Sequence, residues 1–211
     1  MTEKNVEAIV AGGSPLRTMD GVDAHLVERR IRSDSVYDGH FLKLRRDEVR
    51  LPDGKTAFRE YVVHPGAVMI VPFTDDGQLV VERQHRYPLD RVLLEFPAGK
   101  LDPDETTLHC AQRELREETG YRASEWACAG RMHNACAYST EFIEVWFARG
   151  LVAGPRELDV GEFVEVHTMA ETALFQLAAS GELTDAKTMV GLFKLQQWRS
   201  GMWTPPWQSA D

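Results

Sequence analysis

The stretch Gly99–Tyr121, GKLDPDETTLHCAQRELREETGY, decides the reading of this chain, because it sets carboxylates and basic side chains around one predicted helix. The run Asp102-Pro103-Asp104 predicts the start of that helix: an Asp caps, Pro takes a first-turn position, and Glu105 adds negative charge near the N-terminus. Gly120 predicts its end. At about 100° per residue, Leu108, Ala111 and Leu115 share a narrow apolar face, while Glu114, Glu117 and Glu118 share the neighbouring face at i, i+3 and i+4.

Carboxylates packed this closely repel one another and weaken an isolated helix, so they call for a compensating partner. A divalent cation answers that need. With only oxygen donors in the cluster, a hard ion such as Mg²⁺ or Mn²⁺ is favoured over Zn²⁺. Charge alone leaves a second reading open, a solvated helix face on which Arg113 and Arg116 form ordinary surface ion pairs.

Gly99, Glu105, Arg113-Glu114-Leu115, Glu117-Glu118 and Gly120 stand at the spacing of the Nudix box, with Tyr121 as a bulkier residue in the final apolar slot. The stretch therefore resembles that family. The resemblance implies an α/β fold, a Nudix-type α/β/α sandwich with a mixed sheet, and hydrolysis of a nucleoside diphosphate linked to another moiety. It implies Mg²⁺ held by Glu114, Glu117, Glu118 and the backbone carbonyl of Ala98, with Glu117 also carried as a catalytic group. Glu105 and Arg113 would form a structural pair.

The 211 residues suffice for one good-sized domain or a core domain with a smaller appendage, and 43% apolar content is ordinary for a globular chain. A formal net charge of −9, with no run of Lys or Arg, argues against nucleic acid or an anionic membrane as a partner. An acidic protein that acts on phosphates needs a metal to reverse the local field. Three cysteines, Cys110, Cys128 and Cys136, without close CxxC spacing suggest a reducing compartment. No signal-like or membrane-length apolar run occurs, so the expected location is cytoplasmic.

Residues 1–21 are expected to form a flexible arm, with Gly12 to Pro15 as punctuation. Residues 22–64 predict three antiparallel strands with a hairpin at Pro52-Asp53-Gly54. A sheet so small and charged needs a second surface, and a dimer interface is a candidate. Residues 65–200 supply the catalytic domain: AVMIVPF, QLVVERQHR and LLEFPAGK lead into the helix as buried strands, and EWACAGRMH, EFIEVWFARGL and FVEVHTM follow. Two amphipathic helices broken at Gly181 come next, and residues 201–211 are expected to be irregular.

Beyond the box the chain resembles the ADP-ribose and ADP-sugar pyrophosphatase branch. The resemblance is carried by Arg59-Glu60, Gln84-His85-Arg86, Glu95 through Lys100, Tyr138 through Glu141, and Gly161 through Val166. It implies a homodimer with composite active sites, Arg59 and Arg86 against phosphate or adenine, Glu60 as a further substrate contact, Glu95 fixing the ligand, and Phe41 and Phe58 stacking the base. For both Phe residues simple sheet packing is the other reading. Glu141 is expected to orient or deprotonate the attacking water, with Glu144 as the fallback. The run Ala135 to Glu141 departs from the branch's Ser-Pro-Gly-Tyr-Ser-Asp-Glu pattern. That departure keeps GDP-mannose, other nucleoside diphosphate sugars and dinucleoside polyphosphates open beside ADP-ribose, and a non-catalytic ADP-ribose sensor behind them.

Overall fold

A computed structural model of the protein describes residues 23–158 and 161–210. The expected N-terminal arm lies outside the described residues. The chain divides into two compact units, one ending at Val63 and the other beginning at His64.

The first unit is an antiparallel sheet of β1 (Arg29–Asp38), β2 (Lys43–Arg50) and β3 (Thr56–Val63), in that order. Its hairpin closes where Gly54 N–H donates to the Leu51 carbonyl at 2.9 Å and Asp53 accepts from Lys55 N–H at 3.0 Å. Val49 is its one buried hydrophobic residue among those described, and every residue of β1 is exposed.

The second unit holds two sheets. In the larger, β4 (Ala67–Pro72), β7 (Ala98–Lys100), β8 (Tyr121–Met132), β9 (Ile143–Ala153) and β11 (Gln208–Ser209) take the order β11-β8-β9-β4-β7. The β4–β9 pair is parallel and the other pairs are antiparallel, which makes the sheet mixed. In the smaller, β5 (Leu79–Arg86) lies between β6 (Arg91–Glu95) and β10 (Val164–Met169), all antiparallel.

Side chains of the larger sheet alternate between two cores, as the period of a strand requires. From β4 and β9, Met69, Val71, Val145 and Phe147 enter one core, where they meet Leu174 of helix α2 (Glu171–Ser180) and Leu192 and Leu195 of α3 (Ala186–Arg199). Val68, Ile70, Trp146 and Ala148 enter the other, against Cys110, Ala111 and Leu115. Cys110 and Ala111 belong to α1 (Thr107–Glu114), so helices cover both faces and every residue of β4 is buried. This is the α/β/α sandwich with a mixed sheet, preceded by a small antiparallel sheet.

Two expectations need correction. Helix α1 begins at Thr107, capped by Thr106, whose hydroxyl accepts from His109 N–H at 3.3 Å; it does not begin at Asp102–Asp104. Asp104 sits at a left-handed φ of 65°, which no helical turn accommodates, and Glu105 reaches back to accept from Asp102 N–H at 3.1 Å. The C-terminal tail is not wholly irregular either. Gln208 and Ser209 pair with Trp126 and Glu125, and Trp203 and Trp207 pack on the core.

After Glu114 the helix widens into a π turn over Leu115–Thr119 and stops at Gly120, at φ 77°. Glycine is required there. A Cβ would lie 2.5 Å from the Gly154 carbonyl oxygen, because Gly154 N–H donates to the Gly120 carbonyl at 2.8 Å.

Candidate active site

The carboxylates of α1 and its π turn are held by two backbone-anchored devices. Arg113 is the first. Its guanidinium donates to both oxygens of Glu105 at 2.9 and 2.8 Å, to Glu114 at 2.8 Å, to Glu117 at 3.1 Å and to the Lys100 carbonyl at 3.0 Å. One planar cation with several donors in fixed directions can span three carboxylates, which a lysine could not do.

The second device is Glu118. It is buried to 3% exposure, and its Oε2 accepts from Ala98 N–H at 3.0 Å, tying the π turn to β7. Beside it Gly99 makes room for Glu114: a Cβ at Gly99 would stand 1.8 Å from the Glu114 carboxylate. Ala98, Gly99, Glu114 and Glu118 therefore meet at one corner of the fold. Glu117 is drawn off by Arg113 and by Arg116, the latter at 3.1 Å.

Burial dominates the electrostatics of this corner. It pushes Glu114 up to about 7 against the opposing Arg113, and it pushes Glu118 well above the carboxylate range, with the charges of Glu82, Glu114 and Glu162 adding to the effect. Glu82 on β5 rises to about 8, by burial and then by the charge of Glu95. Among the described residues no three His, Cys, Asp or Glu side chains converge on one point, Arg113 bridging Glu114 and Glu117 as they stand. The donor set still fits a hard divalent cation. Its side chains offer only oxygen, Glu118 is withdrawn from water and Glu114 partly so, and the Gly99 cradle brings Glu114 against the backbone of β7.

Next to this corner, Glu95 is 1% exposed and fully engaged. Arg86 grips it through two hydrogen bonds of 2.7 and 2.6 Å, and Lys187 of α3 donates to it as well. Burial would raise its pKa, but the hydrogen bonds from Arg86 and the charge of Lys187 outweigh that and leave it lowered. Thr188, fully buried, donates to Asp185 at 2.6 Å and accepts from Phe96 N–H at 2.9 Å, so the first turn of α3 is pinned to the residue after Glu95. The structure thus joins Arg86 to Glu95 as a pair.

Arg59, Phe58 and Glu60 of the small sheet find partners within the first unit. Arg59 donates to Glu28 at 2.9 Å and to the Phe58 carbonyl at 2.9 Å. Phe58 carries the Arg46 guanidinium 4.0 Å above its ring, and Glu60 lies 3.9 Å from the same arginine. Phe41 is 45% exposed.

Glu141 is held by the loop that carries it. Its N–H donates to Ser139 at 3.1 Å, His133 meets its carbonyl at 3.1 Å, and its carboxylate stands 3.5 Å from His64 Nε2. Glu144 accepts from Thr107 and pairs with Arg131 at 3.1 Å. A different glutamate bears on the buried carboxylates. The charge of Glu162, two residues before β10, raises the proton affinity of Glu82, Glu114 and Glu118 alike. Reading the sequence identified Gly161 to Val166 as part of a resemblance without assigning Glu162 a role. The available signal was its place just before a strand that runs beside β5, with Val166 opposite Glu82.

Residues 63–190 match the NUDIX domain, and residues 28–62 match the nucleoside diphosphate sugar hydrolase N-terminal domain. The chain is 38% identical to an ADP-ribose pyrophosphatase of Bacillus subtilis over 81% of this chain and 94% of that protein. It is 34% identical to a methanol dehydrogenase activator of Bacillus methanolicus, over 80% and 92%. Among solved structures, an ADP compounds hydrolase superposes with a TM-score of 0.74 at 23% identity, covering 83% of this chain and 95% of that one. The protein belongs to the Nudix hydrolase family, an enzyme class that generally uses a divalent metal.

Two outcomes follow from this geometry. In Gly99→Ala the atoms nearest the new methyl all belong to the flexible end of Glu114, so stability should change by less than about 1 kcal/mol while Mn²⁺ affinity falls about tenfold. Thermal unfolding and calorimetric titration read the two effects separately. The hydrogen bonds from Arg113, opposed by burial, hold Glu105 at about 2 against an ordinary 4.5. A folded-state value below the unfolded one adds stability above pH 4.5 that is lost as pH falls toward about 2. Glu105→Gln should therefore be the less stable protein at neutral pH, and its deficit should close across that acid window when urea unfolding is repeated at stepped pH.

Proposed function

We propose that this Nudix hydrolase cleaves the pyrophosphate bond of ADP-ribose or a related ADP-sugar, releasing AMP and, from ADP-ribose, ribose 5-phosphate. The observation that carries the reading is the corner where half-buried Glu114, buried Glu118 and the Ala98–Gly99 backbone meet, which concentrates oxygen donors beside β7. The name of the Bacillus subtilis relative supports the substrate class.

In this proposal the Ala98 carbonyl, Glu114, Glu117 and Glu118 hold Mg²⁺ or Mn²⁺, which when bound supplies the positive field that offsets diphosphate charge and acidifies water. Arg113 releases Glu114 and Glu117 while keeping Glu105, so the helix stays fixed as its carboxylates change partner. Glu162 takes a proton from the attacking water, whose oxygen bonds to one phosphorus while the bridging oxygen leaves with the other phosphate. Glu141, held against His64, keeps the loop from His133 to Phe142 in place and remains the other carboxylate to test. Arg86 holds the substrate through the part of its guanidinium that Glu95 leaves exposed, and Glu95 fixes its direction.

The chain acts as a homodimer in this reading. Ile31, Val36, Tyr37 and Phe58 are exposed on a sheet with one buried hydrophobic residue, and Leu42 is exposed beside it, which supports coverage by a second copy. Arg59, Glu60, Phe41 and Phe58 are proposed as nucleotide contacts within that assembly.

Chromatographic product analysis with Mg²⁺ across ADP-ribose, ADP-glucose, GDP-mannose and diadenosine polyphosphates tests the proposal. AMP and ribose 5-phosphate should appear fastest from ADP-ribose. Glu162→Gln should lower kcat by about 10²–10⁴ with KM little changed, and Glu141→Gln by less than about tenfold. The opposite ranking moves the base to Glu141, and faster cleavage of GDP-mannose overturns the substrate.

A further inference from the structure

Glu82 lies on β5 directly opposite Glu95 on β6, so the two side chains leave the same face of the smaller sheet. Both are essentially removed from solvent, at 0% and 1% exposure, yet their surroundings differ. Glu95 accepts from Arg86 and from Lys187. Among the described residues, neither oxygen of Glu82 has a hydrogen-bond partner. The two cations that face it, Lys187 and Arg86, are both engaged by Glu95, and the other charges bearing on it, from Glu95 and Glu162, are negative.

A buried carboxylate is normally paired, hydrogen-bonded or bound to a cation, because leaving it bare in a low-dielectric interior is strongly unfavourable. A second buried carboxylate, Glu118, bears on Glu82 from the helix. It is 3% exposed, takes one hydrogen bond from Ala98 N–H through Oε2, and feels the charge of Glu82 more than that of any other group. Two buried carboxylates from different elements thus act on one another, and the unpartnered oxygens of Glu82 are hard donors.

We propose that Glu82 is a further oxygen donor to a divalent cation, shared with Glu118 and supplied by strand β5 instead of the helix. This rests on the reading that Glu118 and its helical neighbours hold such an ion, and it adds a residue outside the Gly99–Tyr121 stretch to that site. The strand donor anchors the ion to the smaller sheet, which also carries Arg86 and Glu95, and so fixes the distance between cation and substrate-holding arginine.

The test uses the full-length chain and Mn²⁺ alone, without substrate. Mn²⁺ binding is followed by calorimetry and by the electron paramagnetic resonance of the bound ion, in the wild type, Glu82→Gln and Glu82→Met. In EDTA the variants should unfold at the wild-type temperature or above it, since a bare buried carboxylate has been removed. Their Mn²⁺ affinity should fall about 10- to 100-fold, and the rise in Tm on adding Mn²⁺ should shrink with it. The methionine variant carries the test if the glutamine amide, itself unpaired, prevents folding. Wild-type-like Mn²⁺ affinity in either folded variant overturns the proposal and leaves Glu82 holding a water or a proton. Failure of the wild type itself to bind Mn²⁺ overturns the reading of the helix as well, whereas normal wild-type binding with unaffected variants overturns only the role of Glu82.

Discussion

Three glutamates within five residues of one helix repel one another, and the larger unit is built to hold them together in spite of it. Arg113 ties Glu105, Glu114 and Glu117 to the Lys100 carbonyl, and Ala98 N–H ties Glu118 to β7. Both anchors end on the same short strand. The apolar face of the helix contributes the remaining hold, with Cys110, Ala111 and Leu115 sunk into the core beneath Val68, Ile70 and Trp146. Full burial of a side chain the size of Leu115 is worth about 1.5–3 kcal/mol, enough to outweigh several exposed like-charge contacts at a few tenths each. Packing thus sets the helix position, and position forces the charges together.

The π turn matters to this arrangement. An ordinary α-helix would set Glu118 one turn above Glu114 on a common face, and both would share whatever solvent reaches that face. Widening the last turn over Leu115–Thr119 comes with a different outcome: Glu118 is buried against β7, while Glu117 stays near Arg116 at the edge. The close contact of Gly120 with Gly154 ends the turn there. The three glutamates consequently differ in burial and in partners, although the sequence presents them as equivalents.

That difference explains how much could be read in advance. The i, i+3, i+4 carboxylates, the apolar stripe Ala111–Leu115, the strand order into the helix and the stop at Gly120 all follow from local periodicity and turn chemistry, and they were legible. The start of the helix was misplaced because Asp102-Pro103-Asp104 carries the same local signals as Thr106, and only the left-handed Asp104 decides between them. The pairing of Gln208–Ser209 with β8 was missed because two residues have no periodicity. The influence of Glu162 and Glu82 on the helical carboxylates depends on the pairing of β5 with β10 and β6, a long-range register that no window of sequence contains.

Glu95 and Glu82 show why such register matters to chemistry. They are the same residue type, equally buried and directly opposed across two strands, so intrinsic propensity and burial cannot distinguish them. What separates them is the supply of donors. Arg86 reaches Glu95 along the hairpin from β5, and Lys187 reaches it from the capped first turn of α3, which Thr188 pins to Phe96 N–H. Both cations therefore fall on one carboxylate, leaving the other with two unpartnered oxygens and with the charge of Glu162 adding to that of Glu95 against it. A fold stabilised for its own sake would have shared them or replaced Glu82 by an apolar side chain of similar volume. The uneven division makes sense if the missing positive charge arrives from solution, and the carboxylate left bare then marks where it is needed.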